Sequence, residues 1–311
     1  MKVFVTRTLP GKALDRLRER GLEVEVHRGL FLPKAELLKR VEGAVGLIPT
    51  VEDRIDAEVM DRAKGLKVIA CYSVGVDHVD LEAARERGLR VTHTPGVLTA
   101  ATADLTLALL LAVARRVVEG AAYARDGLWR AWHPELLLGL DLQGLTLGLV
   151  GMGRIGQAVA KRALAFGMRV VYHARTPKPL PYPFLSLEEL LKEADVVSLH
   201  TPLTPETHRL LNRERLFAMK RGAILINTAR GALVDTEALV EALRGHLFGA
   251  GLDVTDPEPL PQDHPLYRLP NAVITPHIGS AGRTTRERMA EVAVENLLAV
   301  LEGREPPNPV V

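Results

Sequence analysis

The run Gly151-Met152-Gly153-Arg154-Ile155-Gly156 has the residue types and spacing that cradle a dinucleotide pyrophosphate. The first glycine permits a tight turn, the second lets the backbone approach a phosphate, and the third lets a helix pack closely on a strand. The helix that follows offers unpaired N–H groups and a partial positive charge at its N-terminus, which favour an anion, and Arg154 and Ile155 are counted with the glycines as cofactor contacts. An apolar run, Leu145 to Val150, precedes the motif; a helix-like stretch, Gln157 to Phe166, follows and closes at Gly167. This strand–turn–helix context separates a cofactor site from a glycine-rich turn that binds nothing.

The choice of cofactor is read one strand further on. Proteins that take NAD place an Asp or Glu about 20 residues past the glycines, where it accepts the ribose 2′-hydroxyl. Here the chain reads Tyr172-His173-Ala174-Arg175-Thr176-Pro177-Lys178, and the next acidic residue is Glu188. A carboxylate would repel a 2′-phosphate, whereas Arg175 and Thr176, with Lys178 as a further candidate, can hold one. NADP(H) is therefore expected in preference to NAD(H). The alternative is that Arg175 only stacks on adenine and both cofactors serve.

Three more segments carry polar groups at the ends of apolar runs: Ile226-Asn227-Thr228-Ala229-Arg230-Gly231, Gly251-Leu252-Asp253-Val254 through Pro257-Glu258-Pro259, and Thr275-Pro276-His277-Ile278-Gly279-Ser280. In open α/β sheets ligands bind outside the carboxyl ends of the strands, where these loops begin. By residue type alone each group has a plainer reading: Arg230 a surface ion pair, His277 a structural hydrogen bond, Glu258 a solvated turn. Those alternatives stay open at this point. His200 ends a strand beside the expected cofactor and reads as a packed residue, with a cofactor contact as the alternative, and His78 reads as a structural hydrogen-bond partner. No His, Cys or carboxylate spacing suggests a metal site.

Strands and helical segments alternate from end to end, which predicts an α/β protein of parallel sheets covered by helices. Strands are expected at Lys2 to Thr6, Glu23 to His27, Ala44 to Ile48, Lys67 to Cys71 and Arg90 to Thr94. A second set is expected at Leu145 to Val150, Arg169 to Tyr172, Val196 to His200, Ala223 to Asn227, Gly249 to Val254 and Ala272 to Thr275. Helices are expected to close at Gly21 and Gly88, and one to open at Ser186 with a capping box to Glu189. Long helical patterns, Thr99 to Gly120 and Thr284 to Leu301, flank the middle block. The last leads into a Pro-rich tail that returns to the start of the fold. The predicted layout is discontinuous: residues 1–98 with 282–311 form one domain, and residues 99–281 the inserted dinucleotide-binding domain. Thr99 to Gly120 is apolar around most of its circumference, so a second subunit is expected to cover it, with intrachain loops as the alternative.

At 311 residues, 47% hydrophobic and 25% charged, the chain has the size and make-up of two ordinary globular domains. A formal net charge of +2 argues against nucleic acid or membrane surface as the main partner. The longest apolar stretch, Leu105 to Val113, is cut short by Arg115 and Arg116, well below a membrane span. The opening residues read as a strand and not as a signal peptide. With Cys71 alone, no internal disulfide can form and a reducing, cytoplasmic setting is expected, the thiol filling core.

Together with Ser73-Val74-Gly75-Val76-Asp77-His78, the glycine motif and the three strand-end segments resemble the D-isomer specific 2-hydroxyacid dehydrogenase family over essentially the whole chain. The resemblance is nearest to the glyoxylate/hydroxypyruvate reductase branch, through Asp253 to Pro261 and the segment holding Trp129 and Trp132. It implies a Rossmann cofactor domain inserted into a flavodoxin-like substrate-binding domain, both doubly wound parallel sheets. It also implies NAD(P)H-dependent reduction of small 2-oxo acids such as glyoxylate and hydroxypyruvate. Arg230 would bind the substrate carboxylate and polarise the carbonyl, and His277 would be the general acid, with Glu258 orienting its ring. Val74 and Gly75 would hold the carboxylate through backbone N–H groups. Asp253 would accept from the nicotinamide amide. Pro202, Thr207, Thr228, Ala229, His277 and Gly279 would line the cofactor. Trp132 matches a residue that reaches the neighbouring subunit's site, within a homodimer formed through residues 99–133, although a plain interface anchor fits as well. D-lactate and 3-phosphoglycerate types are the runners-up. The second often carries a further regulatory domain, for which this chain shows no segment, and needs extra cations near Val74. A cofactor-sensing scaffold of corepressor type is the reading from a different class.

Overall fold

The computed structural model describes all 311 residues, which divide into two compact units: Met1–Leu98 with Ala281–Val311, and Thr99–Ser280. Ala281, assigned above to the second unit, belongs to the first. With Gly282, extended at φ −70° and ψ 133°, it leads straight into the C-terminal helix Arg283–Leu301.

The first unit is built on β1 (Lys2–Val5), β2 (Glu23–Val26), β3 (Ala44–Ile48), β4 (Val68–Ala70) and β5 (Arg90–Thr92). They form a parallel sheet in the order β2-β1-β3-β4-β5. Helices α1 (Asp15–Glu19), α2 (Lys34–Arg40), α3 (Ala57–Arg62) and α4 (Leu81–Glu86) connect them. Both sheet faces are buried, as parallel sheets require. Phe4, Leu47, Ile69 and Val91 pack beneath α2, α3 and α4, while Val3, Val5, Ile48 and Val68 meet Ala290, Ala293, Val294 and Leu297 of the C-terminal helix. Asp56 and Asp80 cap α3 and α4 by accepting from Val59 N and Ala83 N. Gly21 and Gly88 take φ of 73° and 62° where the first and fourth helices end. The Pro-rich tail lies along β5, with Val310 N donating to Val91 O at 2.7 Å. Cys71 is buried in this core, and burial pushes its thiol up to about 12, so it stays protonated and unreactive.

The second unit opens with α5 (Thr99–Ala114) and α6 (Val117–Arg125). Its strands are β6 (Thr146–Val150), β7 (Arg169–His173), β8 (Val196–Leu199), β9 (Ile224–Asn227), β10 (Gly249–Leu252) and β11 (Ala272–Ile274). They are parallel, in the order β11-β10-β9-β8-β6-β7. Between them run α7 (Arg154–Ala165), α8 (Leu187–Glu193), α9 (Arg213–Ala218) and α10 (Thr236–Leu243). Ser186 and Glu189 make the expected reciprocal capping box on α8. The chain leaves β6 for β7 on one side and returns to β8 on the other, so the switch point of this sheet lies at the carboxyl end of β6.

The single helix expected over Thr99 to Gly120 is two helices. Arg116 adopts a left-handed φ of 52°, and Leu140 N takes the Ala114 carbonyl at 2.8 Å. The crossing segment leaves no room for a side chain at Gly139, whose Cβ would lie 2.2 Å from Ala114 O. The apolar circumference of α5 is covered largely from within its own unit, by α7, β9 and β10. Between α5 and β6 the large exposed apolar side chains lie in α6 and the irregular segment after it: Val117, Val118, Leu128, Trp129, Trp132 and Leu138. No helix is long and apolar enough to cross a membrane.

Candidate active site

The glycine run sits at the switch point, and each glycine has its own reason. Gly151 turns at φ 100°, and a Cβ there would lie 2.4 Å from His200 O at the end of β8. A Cβ on Gly156 would lie 2.4 Å from Gly151 O, so only glycine lets α7 approach the turn. Around Gly153 there is open space, and this residue caps α7 with no side-chain hydrogen bond and no acidic residue in the first turn. Arg154 and Ile155 form that first turn. The cradle and the uncapped helix end fit a pyrophosphate: free N–H groups, positive dipole, no competing carboxylate.

Beyond β7, Arg175 and Thr176 are exposed on the loop after His173. His173 is engaged elsewhere: its Nδ1 donates to Leu185 O at 3.0 Å and its ring stacks on Phe184. Pro202 and Thr207 are tied into one turn after β8, where Thr207 Oγ1 donates to Pro202 O at 2.7 Å. Glu206, in that turn, has its pKa lowered chiefly by the Thr204 hydroxyl and in small part by the charge of Arg175. His200 packs, as expected. Its Nε2 meets Ser198 Oγ at 2.8 Å, and burial pushes it down to about 4, leaving the ring neutral at pH 7.

The chemistry-bearing loops leave the carboxyl ends of β9, β10 and β11, along the same edge of the sheet as the glycine turn. After β9, buried Asn227 organises the turn: its Oδ1 accepts from Ala229 N at 3.0 Å and its Nδ2 donates to Arg230 O at 2.8 Å. Thr228 is held from α5, with its hydroxyl 3.0 Å from that of Thr106. Gly231 lies so close to the next loop that a Cβ would fall 1.9 Å from Thr255 O. Arg230, extended and partly buried, is thus fixed at its backbone from both sides.

After β11, His277 sits at a left-handed φ of 52°, unusual for a residue other than glycine. The strain is held by Asp253, almost fully buried after β10. Asp253 O accepts from His277 N at 2.9 Å. Its carboxylate Oδ1 accepts from Thr275 Oγ1 at 2.6 Å and Ile278 N at 2.8 Å, and its Oδ2 accepts from Gly279 N at 2.7 Å. Thr102 of α5 adds a donor to Gly279 O at 3.2 Å. Asp253, read from the sequence as a nicotinamide contact, is here first of all the clamp on the His277 loop. With the loop so held, His277 Nδ1 meets Glu258 Oε1 at 2.5 Å, both side chains about 30% exposed. Glu258 Oε2 accepts from Thr255 N at 3.2 Å, which fixes the carboxylate in turn. An imidazole with Nδ1 donating to a carboxylate keeps Nε2 as the nitrogen for exchange with a ligand.

Sequence reasoning missed Asn227, Thr275, Thr102 and Thr106. An Asn at a strand end ahead of a short polar loop is a recognisable turn former. The two threonines of α5 carry no such local signal.

In the first unit, Val74 and Gly75 follow β4, on the edge where the strands end, and both are partly buried. Trp132 lies in the irregular segment between α6 and β6 and is 82% exposed. No cluster of three or more His, Cys, Asp or Glu that could hold a metal ion is present.

A glycine cradle at a sheet's switch point, with a carboxylate-paired histidine and a braced arginine along the same edge, defines a dinucleotide-binding oxidoreductase. Residues 107–279 match the model of the D-isomer specific 2-hydroxyacid dehydrogenase NAD-binding domain. The whole chain is 49% identical over 315 residues to the glyoxylate reductase of Korarchaeum cryptofilum, covering 99% of this chain and 95% of that one. Among solved structures, a protein of Thermus thermophilus is 97% identical with a TM-score of 0.98, with 100% of each chain covered. The NADPH-dependent glyoxylate/hydroxypyruvate reductase of Sinorhizobium meliloti, crystallised with NADP and malonate, is 34% identical with a TM-score of 0.89, covering 100% and 96% of the two chains. The chain belongs to the D-isomer specific 2-hydroxyacid dehydrogenase family, and it uses a nicotinamide cofactor.

Proposed function

We infer that this enzyme reduces glyoxylate and hydroxypyruvate to glycolate and D-glycerate, with NADPH preferred over NADH. The observation that carries the reading is the His277–Glu258 pair, 2.5 Å apart, on a loop clamped to Asp253 beside the Arg230 turn. Relatives named glyoxylate reductase at about half identity support the substrate class.

Reduction of a 2-oxo acid adds a hydride to the carbonyl carbon and a proton to its oxygen. The nicotinamide, when bound, supplies the hydride. Gly151, Gly153, Arg154, Ile155 and Gly156 hold the pyrophosphate, and Pro202, Thr207, Thr228, Ala229 and Gly279 line the rest of the cofactor. Asp253 keeps the loop in place, and its Oδ2, which already accepts from Gly279 N, has a second lone pair that can accept from the carboxamide. Arg230 holds the substrate carboxylate through a planar fork that never loses its charge, and stabilises the negative charge growing on oxygen. His277 gives its Nε2 proton to that oxygen, and Glu258 stabilises the ring while it is charged. The N–H groups of Val74 and Gly75 are the proposed backbone donors to a substrate carboxylate. Arg175 and Thr176 receive the 2′-phosphate, where an NAD enzyme would carry an acid.

A steady-state panel of glyoxylate, hydroxypyruvate, pyruvate and 3-phosphohydroxypyruvate with each reduced coenzyme tests this. The two small acids with NADPH should give the highest kcat/KM. Negligible turnover of all four would favour the scaffold reading, and a clear NADH preference would refute the coenzyme assignment.

A homodimer accounts for the exposed apolar side chains that follow α5, above all Trp129 and Trp132 at 68% and 82% exposure. The proposed interface thus centres on the 117–138 part of the segment, with Trp132 as an anchor that can also limit substrate size. A solution mass near twice 34.0 kDa is expected, and a monomer would refute it. The free, buried Cys71 suits a cytoplasmic setting.

A further inference from the structure

The loop after β4 is braced from behind by a partly buried polar chain, anchored on buried Asn296, that the catalytic reading does not use. His93 Nδ1 lies 2.9 Å from the carbonyl oxygen of Val74. A carbonyl can only accept, so this nitrogen carries the proton and donates. The peptide that contains the Val74 carbonyl also contains the Gly75 N–H. In a planar trans peptide these two groups point in opposite directions. A donor on the oxygen therefore fixes the direction of the N–H on the far edge and polarises it. Ser73 Oγ donates to Gly75 O at 2.7 Å, which pins the following peptide as well.

His93 is itself held on two sides by residues from the far end of the chain. Its carbonyl accepts from Asn296 Nδ2 at 2.9 Å, and its N–H donates to Asn308 O at 3.2 Å. Asn296, fully buried in the C-terminal helix, accepts in turn from Asn308 N at 3.1 Å and Asn308 Nδ2 at 3.2 Å. Thr94 N donates to Ser73 O at 2.8 Å, tying the residue after His93 to the start of the same loop. Asparagine without exposure is costly unless its hydrogen bonds are made, and here they tie the His93 backbone to Asn308.

We propose that His93 is a positioning residue for the substrate carboxylate: by holding the Val74 carbonyl, it aims the Gly75 N–H at that group. This rests on the reading of Val74 and Gly75 as the carboxylate-binding loop. His93 does not touch the substrate. Its effect falls on binding of the acid, because the proton donor and the hydride donor are unaltered.

The test is the steady-state kinetics of the full-length enzyme with glyoxylate and NADPH, for the parent, His93→Phe, His93→Leu and His93→Asn. Asn can place an amide N–H near the position of Nδ1, whereas Phe and Leu cannot donate. Loss of the donor should raise the KM for glyoxylate roughly tenfold, the worth of about one hydrogen bond. The kcat should stay within about threefold and the KM for NADPH should be unchanged, with Asn recovering most of the loss. Leu covers the case in which Phe does not fold. An unchanged glyoxylate KM in a folded donor-free variant overturns the inference and leaves the proposed function standing. Equal losses in kcat and in both KM values, not rescued by Asn, also overturn it, since they mark a scaffold role. A parent enzyme that fails to reduce either small acid removes the functional reading, and this inference goes with it.

Discussion

His277→Ala is expected to lower kcat for glyoxylate reduction by roughly 10² to 10⁴, the usual worth of a general acid, while the Kd for NADPH changes little. The expectation follows from how few alternatives the geometry leaves. Glu258 occupies Nδ1 at 2.5 Å, so the ring exchanges its proton through Nε2. With the ring gone, water must donate to the new alkoxide. His264, on the same loop as Glu258, is committed elsewhere: its Nδ1 accepts from Leu266 N at 3.2 Å and its Nε2 faces Glu237. The left-handed backbone at His277, φ 52°, raises a rival explanation, since alanine is poorly suited to it. His277→Asn separates the two. Asparagine tolerates this conformation well but cannot serve as an acid near neutral pH. If the Asn variant regained parental turnover, backbone strain and not proton transfer would be the cause, and the acid assignment would fail.

Much of the architecture is legible without coordinates, because parallel strands buried on both faces leave continuous apolar runs. The runs at Ala44–Ile48 and Gly249–Leu252 announce themselves this way. Strand ends read from the sequence overshoot by a residue or two, as at Thr6 and Thr94, whose N–H groups still donate to Ile48 O and Ser73 O beyond the last strand residue. The helix break at Arg116 is not legible. Its cause is non-local: a segment well downstream takes the Ala114 carbonyl and crosses at Gly139. The site divides in the same way. Gly151, Gly153 and Gly156 form a local motif whose spacing carries its meaning, and the structure supplies a separate steric reason for each. Arg230, Glu258 and His277 are singled out by residue type and strand-end position, then by resemblance to a family. What places them lies outside the local sequence. Asn227 reads as one more polar loop residue until its two hydrogen bonds are seen, and Asp253 looks like a ligand contact until both its oxygens are found on the His277 loop. Braces of this kind depend on contacts between strands distant in sequence, and a one-dimensional pattern does not record them.

Arg230→Gln should be the other severe variant, and its signature should differ from that of His277. Two duties are assigned to one guanidinium. Holding the substrate carboxylate by charge-assisted bonds is worth about 1.5–3 kcal/mol, which predicts a KM for glyoxylate raised roughly 10- to 100-fold. Stabilising the charge that grows on the carbonyl oxygen matters only in the transition state, and loss of one such donor lowers kcat by roughly 10² to 10³. The two losses multiply in kcat/KM, whereas a mutation at His277 should leave KM nearly as it was. The comparison is clean because the Arg230 turn is held by its backbone, through Asn227 and the close approach of Gly231 to Thr255, and not by the guanidinium alone. Arg230→Lys should recover little, since a point charge on a flexible stem does not reproduce the planar fork. Added guanidinium ion should partly restore turnover to Arg230→Ala, where the emptied space lies beside an intact loop. A glutamine variant with kcat/KM within about threefold of the parent would show that the cation serves neither duty, and the carboxylate would then have to be held by some other group.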